Sequence, residues 1–201
     1  ERFCQDEKVE VLPMDLYYSF NGEDLDKAKK EIMSVENYVR TGILSERTRY
    51  IEEVLNSDFV IDFSGDIWGE NANFLGKDRF EVGLYKNLIA QRLGKPTFLL
   101  AGSPGPFSEE TLSLAKDVFK NFTLVTNREP ISSILLRQAG FDTANVEDLA
   151  CPSFLFAGDT LENAEKILLT DGIISKEKPV IGFILCGWNF SNGPFDRWPR
   201  E

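Results

Sequence analysis

Short apolar runs alternate along the chain with longer stretches in which apolar residues recur every three to four positions. Runs of four or five mostly apolar residues, bounded by Gly, Pro or polar residues, are typical of buried parallel strands. They lie at positions 9–12, 59–63, 97–100 and 123–126, with a weaker run at 145–147. The stretches between them have the spacing of amphipathic helices. The pattern predicts strands that alternate with helices.

Helix signals support this interpretation. Helices are predicted over residues 25–39, 46–55, 78–93, 108–121, 130–140 and 160–169. Gly42 is placed to end the first helix, Ser108 and Asp159 are placed as N-caps, and Pro130 suits a first helical position. Alternating strands and helices predict an α/β fold with a Rossmann-like, doubly wound parallel sheet that helices cover on both faces.

The domain organisation follows from the same pattern. Residues 1–175 are interpreted as a Rossmann-like domain whose first strand is missing. Residues 176–179 are typical of a linker, and a fresh apolar run at 180–186 predicts the first strand of a second domain, truncated at 201. The predicted architecture is therefore one domain and the beginning of another.

Composition narrows the function classes. The chain has 33 acidic and 22 basic residues, a net charge of −11, which argues against nucleic acid as a partner. It contains no apolar run long enough to predict a transmembrane segment and no secretory signal, so a cytoplasmic location is expected. Its cysteines, Cys4, Cys151 and Cys186, form no CxxC pair, so no zinc site is expected. Cys151 and Cys186 are expected to be buried as small apolar residues.

The chain contains no histidine. Histidine is the commonest general base, so any acid–base chemistry carried out by this chain alone falls to Asp, Glu, Lys, Tyr or Cys. No residue stands out as a catalytic acid, and no catalytic residue is assigned from the sequence.

Polar and Gly/Pro-rich clusters follow the predicted strands. Because the carboxyl ends of parallel strands share one edge of a sheet, these clusters are expected to meet around a ligand-binding cleft. The candidate substrate-binding residues are Ser64, Gly65, Asp66, Gly102, Ser103, Gly105, Pro106, Arg128, Glu129, Ser132 and Asp148. A further cluster at 187–191 belongs to the predicted second domain, which would place the cleft between two domains.

Each candidate has a functional and a structural interpretation. Arg128 is suited to bind a carboxylate or phosphate, or else to pair with a neighbouring acid. Asp66 and Asp148 could accept sugar hydroxyls or cap turns, and Ser132 could donate to the same anion as Arg128 or help cap its helix. The helix N-terminus at Ser108 is a further possible anion site. No GxGxxG or Walker sequence is present.

Three tryptophans lie in predicted loops. Trp68, Trp188 and Trp198 could stack on sugar faces, but packing in the core or at a domain interface is favoured. The sequence leaves this choice open at each of the three positions.

Four stretches in order resemble the polysaccharide pyruvyl transferase family: DFVIDFSGDIW, KPTFLLAGSPGPFSEE, VTNREPISSILLRQAGF and VEDLACPSFLF. The resemblance covers residues 58–156 and falls on the candidate clusters listed above. The chain departs from the family at Gly102, where the family has Gln, and at Pro104, where it has Ile. Cys151-Pro152 also differs, just before Phe154.

The resemblance implies a GT-B-like two-domain fold and transfer of pyruvate from phosphoenolpyruvate to a sugar as a ketal, in cell-surface (exo)polysaccharide biosynthesis. The implied partners are phosphoenolpyruvate and a saccharide acceptor, without a cofactor or metal. This chain alone is expected to be catalytically incomplete. The alternatives are a GT-B glycosyltransferase that uses a nucleotide sugar and a non-catalytic sugar- or anion-binding domain. The sequence names neither the acceptor sugar nor the oligomeric state.

Overall fold

The protein was analysed as a computed structural model that describes residues 9–173 and residue 181. The chain divides into two compact units, Glu1–Leu155 and Phe156–Glu201. The first unit contains the sheet. Several sequence-based predictions lie outside the described residues: the linker at 176–179, the strand at 180–186, the cluster at 187–191, and the environments of Trp188, Trp198, Cys4 and Cys186.

The first unit is built on a four-stranded parallel sheet in the order β1-β2-β3-β4. Its strands are β1 (Val60–Asp62), β2 (Thr97–Gly102), β3 (Leu124–Asn127) and β4 (Val146–Asp148). The predicted α/β class and the parallel pairing of β1, β2 and β3 are confirmed. The described strands follow one another in a single direction, without the reversal of order that defines a doubly wound sheet, so this is the order of one half of such a sheet.

Helices occupy the segments between the strands. In the first unit they are α1 (Asp24–Thr41), α2 (Arg49–Asn56), α3 (Arg79–Arg92), α4 (Glu109–Phe119) and α5 (Pro130–Gln138), with α6 (Leu161–Thr170) in the second unit. Short 3-10 turns lie at Met14–Leu16, Gly65–Ile67, Glu70–Phe74 and Pro152–Leu155. None of these described helices combines the length and apolar character needed to cross a bilayer.

The helix ends agree with the sequence signals at three positions and differ at one. The Ser108 side chain accepts a hydrogen bond from the Thr111 N–H at the start of α4, Pro130 begins α5, and Gly42 ends α1 in the left-handed region. For α6 the predicted N-cap, Asp159, is wrong. Thr160 is the N-cap, because its hydroxyl is the group that accepts from a backbone N–H of the first turn, while the Asp159 carboxylate accepts from the Asn163 side chain.

The core lies against one face of the sheet. Leu99 of β2 and Val125 of β3 have no exposed surface and join an apolar cluster contributed by α1 to α5. Trp68, which is 2% exposed, is central to this cluster. Its ring contacts those of Phe80, Phe107, Phe119, Phe122 and Phe141. The interpretation of Trp68 as a packing residue is therefore confirmed.

The opposite face of the sheet is open along β1. Phe59, Ile61 and Phe63 are 48–63% exposed, and Phe98, the neighbour of Ile61 on β2, is half-buried. This differs from the expected covering of both faces by helices. The predicted strand at 9–12 is also wrong: these residues form no strand, and Val11 is 71% exposed. An apolar run of four residues becomes a strand only where another strand is positioned to pair with it.

Candidate functional site

Two loops at the carboxyl edge of the sheet are joined by main-chain hydrogen bonds. We call residues 64–70 after β1 and residues 102–107 after β2 the joined loops. The Ser103 N–H donates to the Gly65 carbonyl at 3.1 Å, the Gly105 N–H to the Trp68 carbonyl at 2.9 Å, and the Glu70 N–H to the Pro106 carbonyl at 2.8 Å. These bonds fix the relative position of the two strand ends on which the candidate site is built.

Glycine is required where the joined loops approach most closely. A Cβ on Gly69 would lie 2.6–2.7 Å from main-chain atoms of Gly105, a separation that packed atoms do not tolerate. Gly65 has a φ of +65°, in the left-handed region that favours glycine. A Cβ there would lie 3.9 Å from Arg128 Nη1, an ordinary contact, so the backbone conformation and not a lack of space favours glycine at this position.

Arg128 extends from the end of β3 across the joined loops. Its backbone N–H donates to the Gly102 carbonyl at 2.9 Å, and its Nε donates to the Ser103 hydroxyl at 3.1 Å. Nη2 lies 4.0 Å from Asp66 Oδ1, at the outer limit of an ion pair, and the two side chains are 29% and 40% exposed. Nε thus ties Arg128 to the loop after β2, and the side chain keeps 29% of its surface exposed beside Asp66.

The carboxylate of Glu129 is held by hydroxyl groups. Its two oxygens accept from the Ser103 hydroxyl at 2.9 and 3.0 Å, and one of them also accepts from the Ser132 hydroxyl in the first turn of α5. Both serines are candidate substrate-binding residues, and the structure shows that their hydroxyls are engaged with Glu129.

The N-terminus of α4 is also occupied by a carboxylate of the protein. Glu70 Oε1 accepts from the Ser108 hydroxyl at 2.7 Å and from the Thr111 hydroxyl at 2.5 Å. The place where an anion was expected from the sequence is therefore filled by Glu70. Glu70 and Ser108 are 38 residues apart, and no local sequence signal pairs them.

Asp148 lies further along the sheet edge, at the end of β4. Its Oδ1 accepts from the Ser133 hydroxyl at 2.5 Å and from the Asn127 side-chain amide at 3.4 Å. Among the described residues, no hydrogen bond or ion pair joins it to Arg128. Asn127 is completely buried and its Oδ1 has no partner within the described part of the chain. The structure therefore separates Asp148 from the Arg128 group.

Ser64 also contacts a residue outside the Arg128 group, namely Asp62. Its backbone N–H donates to Asp62 Oδ1 at 2.9 Å, and its hydroxyl donates to the same oxygen. The other oxygen of Asp62 accepts from the Asn87 side chain at 2.7 Å. Ser64 is thus a turn residue that follows β1 and is bonded to the last residue of that strand.

An open cleft of about 540 Å³ separates the loop after β2 from α5. Ser103, Gly105, Pro106, Glu129 and Ser132 line it among the candidate residues. The rest of its lining is mostly apolar: Pro104, Phe107, Leu112, Ile131, Leu135 and Ala139. Five candidates therefore share one cavity, while Ser64, Gly65 and Asp66 form the neighbouring turn.

Cys151 differs from its predicted environment. It is half-exposed rather than buried, and its Sγ lies 2.9 Å from the Ser153 hydroxyl. The Ser153 hydrogen bonds, with a smaller contribution from the Arg128 charge, lower the pKa of the Cys151 thiol. Stabilisation of the thiolate by a hydrogen bond and a nearby cation is the reason for this direction.

Alkylation of Cys151 by iodoacetamide is expected to reach half its maximal rate at a lower pH than for an unperturbed cysteine, because the thiolate is the nucleophile. Peptide-resolved mass spectrometry over a pH series would measure this separately from Cys4 and Cys186. The Ser153→Ala variant is expected to shift the midpoint back upward. A Cys151 midpoint equal to that of a free cysteine in both proteins would contradict the prediction.

The sheet and its carboxyl edge indicate the class of protein. A parallel α/β sheet flanked by helices is a Rossmann-like domain, and its carboxyl edge carries a partly exposed arginine, glycine turns and a cleft. Domains of this class bind ligands at that edge. The family model for polysaccharide pyruvyl transferase matches residues 3–184. The chain therefore belongs to the polysaccharide pyruvyl transferase family, which confirms the resemblance carried by the four motifs.

The family is one of transferases that act in polysaccharide biosynthesis. Neither the curated proteins nor the solved structures include a significant match to this chain.

Proposed function

We propose that the protein transfers pyruvate from phosphoenolpyruvate to two hydroxyls of a sugar, forming a ketal during synthesis of a cell-surface polysaccharide. In this reaction C2 of the donor forms two C–O bonds to the sugar oxygens, and its bond to the phosphate oxygen breaks. Of the two hydroxyl protons, one is transferred to C3, which becomes a methyl group, and the other is carried away by the released phosphate. Phosphoenolpyruvate supplies the transferred group, so the proposal requires no cofactor.

The observation that carries the proposal is the accessible guanidinium of Arg128 at the sheet edge. Phosphoenolpyruvate bears a carboxylate and a phosphate, and a guanidinium binds either group through two parallel hydrogen bonds. The two helix N-termini beside it already contact Glu70 and Glu129. Within the described residues of this edge, Arg128 is therefore the group best placed to bind the anionic donor.

Asp66 is the carboxylate best placed for the sugar. It lies 4.0 Å from Arg128 Nη2 and is 40% exposed, so a sugar hydroxyl can reach the carboxylate and donate a hydrogen bond to it. Asp148, the other carboxylate considered from the sequence, is bonded to Ser133 and Asn127. We assign acceptor binding to Asp66 and a supporting structural role to Asp148.

Calorimetric titration of the chain with phosphoenolpyruvate tests the proposal. Arg128→Ala is expected to weaken binding about 10- to 100-fold, because charge-assisted hydrogen bonds are lost, and Arg128→Lys to weaken it less. Binding to the unsubstituted chain is expected to fall as salt is raised.

Arg137→Ala is the matched control, since Arg137 lies exposed in the last turn of α5. It should leave the dissociation constant unchanged. Equal affinity of Arg128→Ala and the unsubstituted chain for phosphoenolpyruvate would refute the assignment of the donor site.

A further inference from the structure

We propose that Ser103 and Glu129 are positioning residues that hold the Arg128 guanidinium in its ligand-facing orientation. The sequence pattern groups them with Arg128 as substrate-binding residues, whereas their contacts are with Arg128 and with each other. This inference rests on the proposed function, because it assigns to these residues a role in binding of the anionic donor through Arg128.

The direction of the hydrogen bonds between these residues is fixed by their chemistry. A guanidinium only donates, so Ser103 Oγ accepts from Arg128 Nε at 3.1 Å. The single hydroxyl proton of Ser103 is then directed to Glu129, whose oxygens lie 2.9 and 3.0 Å away. An ionised carboxylate only accepts, which excludes the opposite direction. Because the Ser103 hydroxyl donates its proton in the hydrogen bond to Glu129, the Ser103 oxygen has a lone pair to accept from Arg128.

Glu129 is itself held in place. The Ser132 hydroxyl in the first turn of α5 donates to it, so the carboxylate is anchored to the helix on one side and to Ser103 on the other. Glu129 is adjacent to Arg128 in sequence but forms no ion pair with it; the acid paired with Arg128 among the described residues is Asp66. The negative charge of Glu129 therefore acts on Arg128 through the Ser103 hydroxyl.

The consequence is a guanidinium that is fixed on its Nε side, in a side chain that remains 29% exposed. Nε is held by Ser103, while Nη1 and Nη2 face the turn at Gly65 and Asp66. A long side chain that is already ordered loses less conformational freedom when it binds a ligand, so the affinity for the ligand rises. We expect Ser103 and Glu129 to contribute to donor affinity without touching the donor.

Two independent measurements test the inference. In titrations with phosphoenolpyruvate, Ser103→Ala is expected to bind about tenfold more weakly than the unsubstituted chain. Ser103→Thr keeps the hydroxyl and should bind almost as well as the unsubstituted chain. Glu129→Gln keeps an acceptor but not the charge, and its affinity should fall about threefold. Ser113→Ala, on an exposed part of α4, is the matched serine control and should bind as the unsubstituted chain does.

The second measurement needs no ligand. Nitrogen-15 NMR of the Arg128 Nε–H group should show slow hydrogen exchange and restricted motion in the unsubstituted chain and in Ser103→Thr. Ser103→Ala should show faster exchange and greater motion. A merely structural role of Ser103 would lower stability without this selective change at Nε.

The outcomes distinguish the two proposals. If the unsubstituted chain binds phosphoenolpyruvate and Ser103→Ala binds equally well, the positioning role is overturned while the donor site stands. If the unsubstituted chain does not bind, the proposed function fails, and the Nε measurement still decides the positioning role: unchanged exchange and motion in Ser103→Ala would overturn it. Selective mobilisation of Arg128, with rescue by Ser103→Thr, would support it.

Discussion

Replacement of Glu31 by alanine is expected to lower the free energy of unfolding by about 3–5 kcal/mol, because it leaves a charged lysine unpaired in the core. Glu31 on α1 and Lys86 on α3 have side chains that are 1% and 2% exposed, and they are joined by a hydrogen-bonded ion pair. The other Glu31 oxygen accepts from the Thr48 hydroxyl at 2.7 Å. Lys86 Nζ also lies 4.2 Å from the centre of the Tyr50 ring.

The loss should depend on pH in a defined direction. Burial lowers the pKa of Lys86, and the charge of Glu31 opposes that effect. Without Glu31 the pKa of Lys86 in the folded protein falls further, while in the unfolded chain it stays near its ordinary value of about 10.4. Between these values the unfolded state binds more protons, so the stability of the variant rises with pH. The stability gap to the unsubstituted protein should therefore narrow between pH 7 and pH 10.

Urea unfolding followed by tryptophan fluorescence at several pH values measures both effects. Glu81→Ala is the matched control, since it breaks the partly exposed Lys29–Glu81 pair at 3.3 Å and is expected to cost less than about 1 kcal/mol. Replacing both Glu31 and Lys86 by apolar residues should recover much of the loss. Equal losses of unfolding free energy for Glu31→Ala and Glu81→Ala would contradict the prediction that breaking the buried pair is more destabilising.

Gly69→Ala is expected to lower the free energy of unfolding by about 3 kcal/mol and to weaken phosphoenolpyruvate binding. The new methyl group would lie 2.6–2.7 Å from the main chain of Gly105, and a backbone neighbour cannot move aside as a side chain can. Relief of this contact requires the joined loops to separate, which breaks the bond between the Gly105 N–H and the Trp68 carbonyl. Movement of the loop after β2 would then displace Ser103, and with it Arg128.

Gly22→Ala controls for a change from glycine to alanine as such, because no atom lies within 4 Å of a Cβ at that turn. Unfolding midpoints and phosphoenolpyruvate titrations of both variants would be compared with those of the unsubstituted chain. A Gly69→Ala protein with unchanged stability and affinity would show that the close approach of the two loops is not needed for the site.

Local patterns were sufficient for much of the fold. The apolar runs at β2 and β3, the N-cap Ser108 and the first helical residue Pro130 predicted elements that the structure contains. The rule that parallel strands end at one edge also predicted that Ser103 and Asp66 lie near Arg128, whereas Asp148, predicted for the same cluster, is bonded to Ser133 and Asn127. The prediction of a strand at 9–12 was wrong, because strand formation depends on a pairing strand that a short sequence window does not contain.

The remaining features depend on contacts between distant residues. Glu70 and Ser108 are 38 positions apart, and Lys86 and Glu31 are 55 apart, so neither pair has a signature in the sequence. A charged residue within a helix is usually exposed, and only the packing of α1 against α3 buries Glu31 and Lys86. The environment of Cys151 likewise depends on the chain after β4 and on Arg128.

The joined loops also bear on how sequences of this family can diverge. The three bonds that hold them together use only main-chain N–H and carbonyl groups, and none of them uses the nitrogen of residue 104. Side chains of the loops, apart from the glycine positions at 65, 69 and 105, can therefore be exchanged without loss of the three main-chain hydrogen bonds. Gly102 and Pro104, which replace the Gln and Ile of the resembling motif, are substitutions of this kind. The two loops can thus carry different side chains on the same main-chain frame.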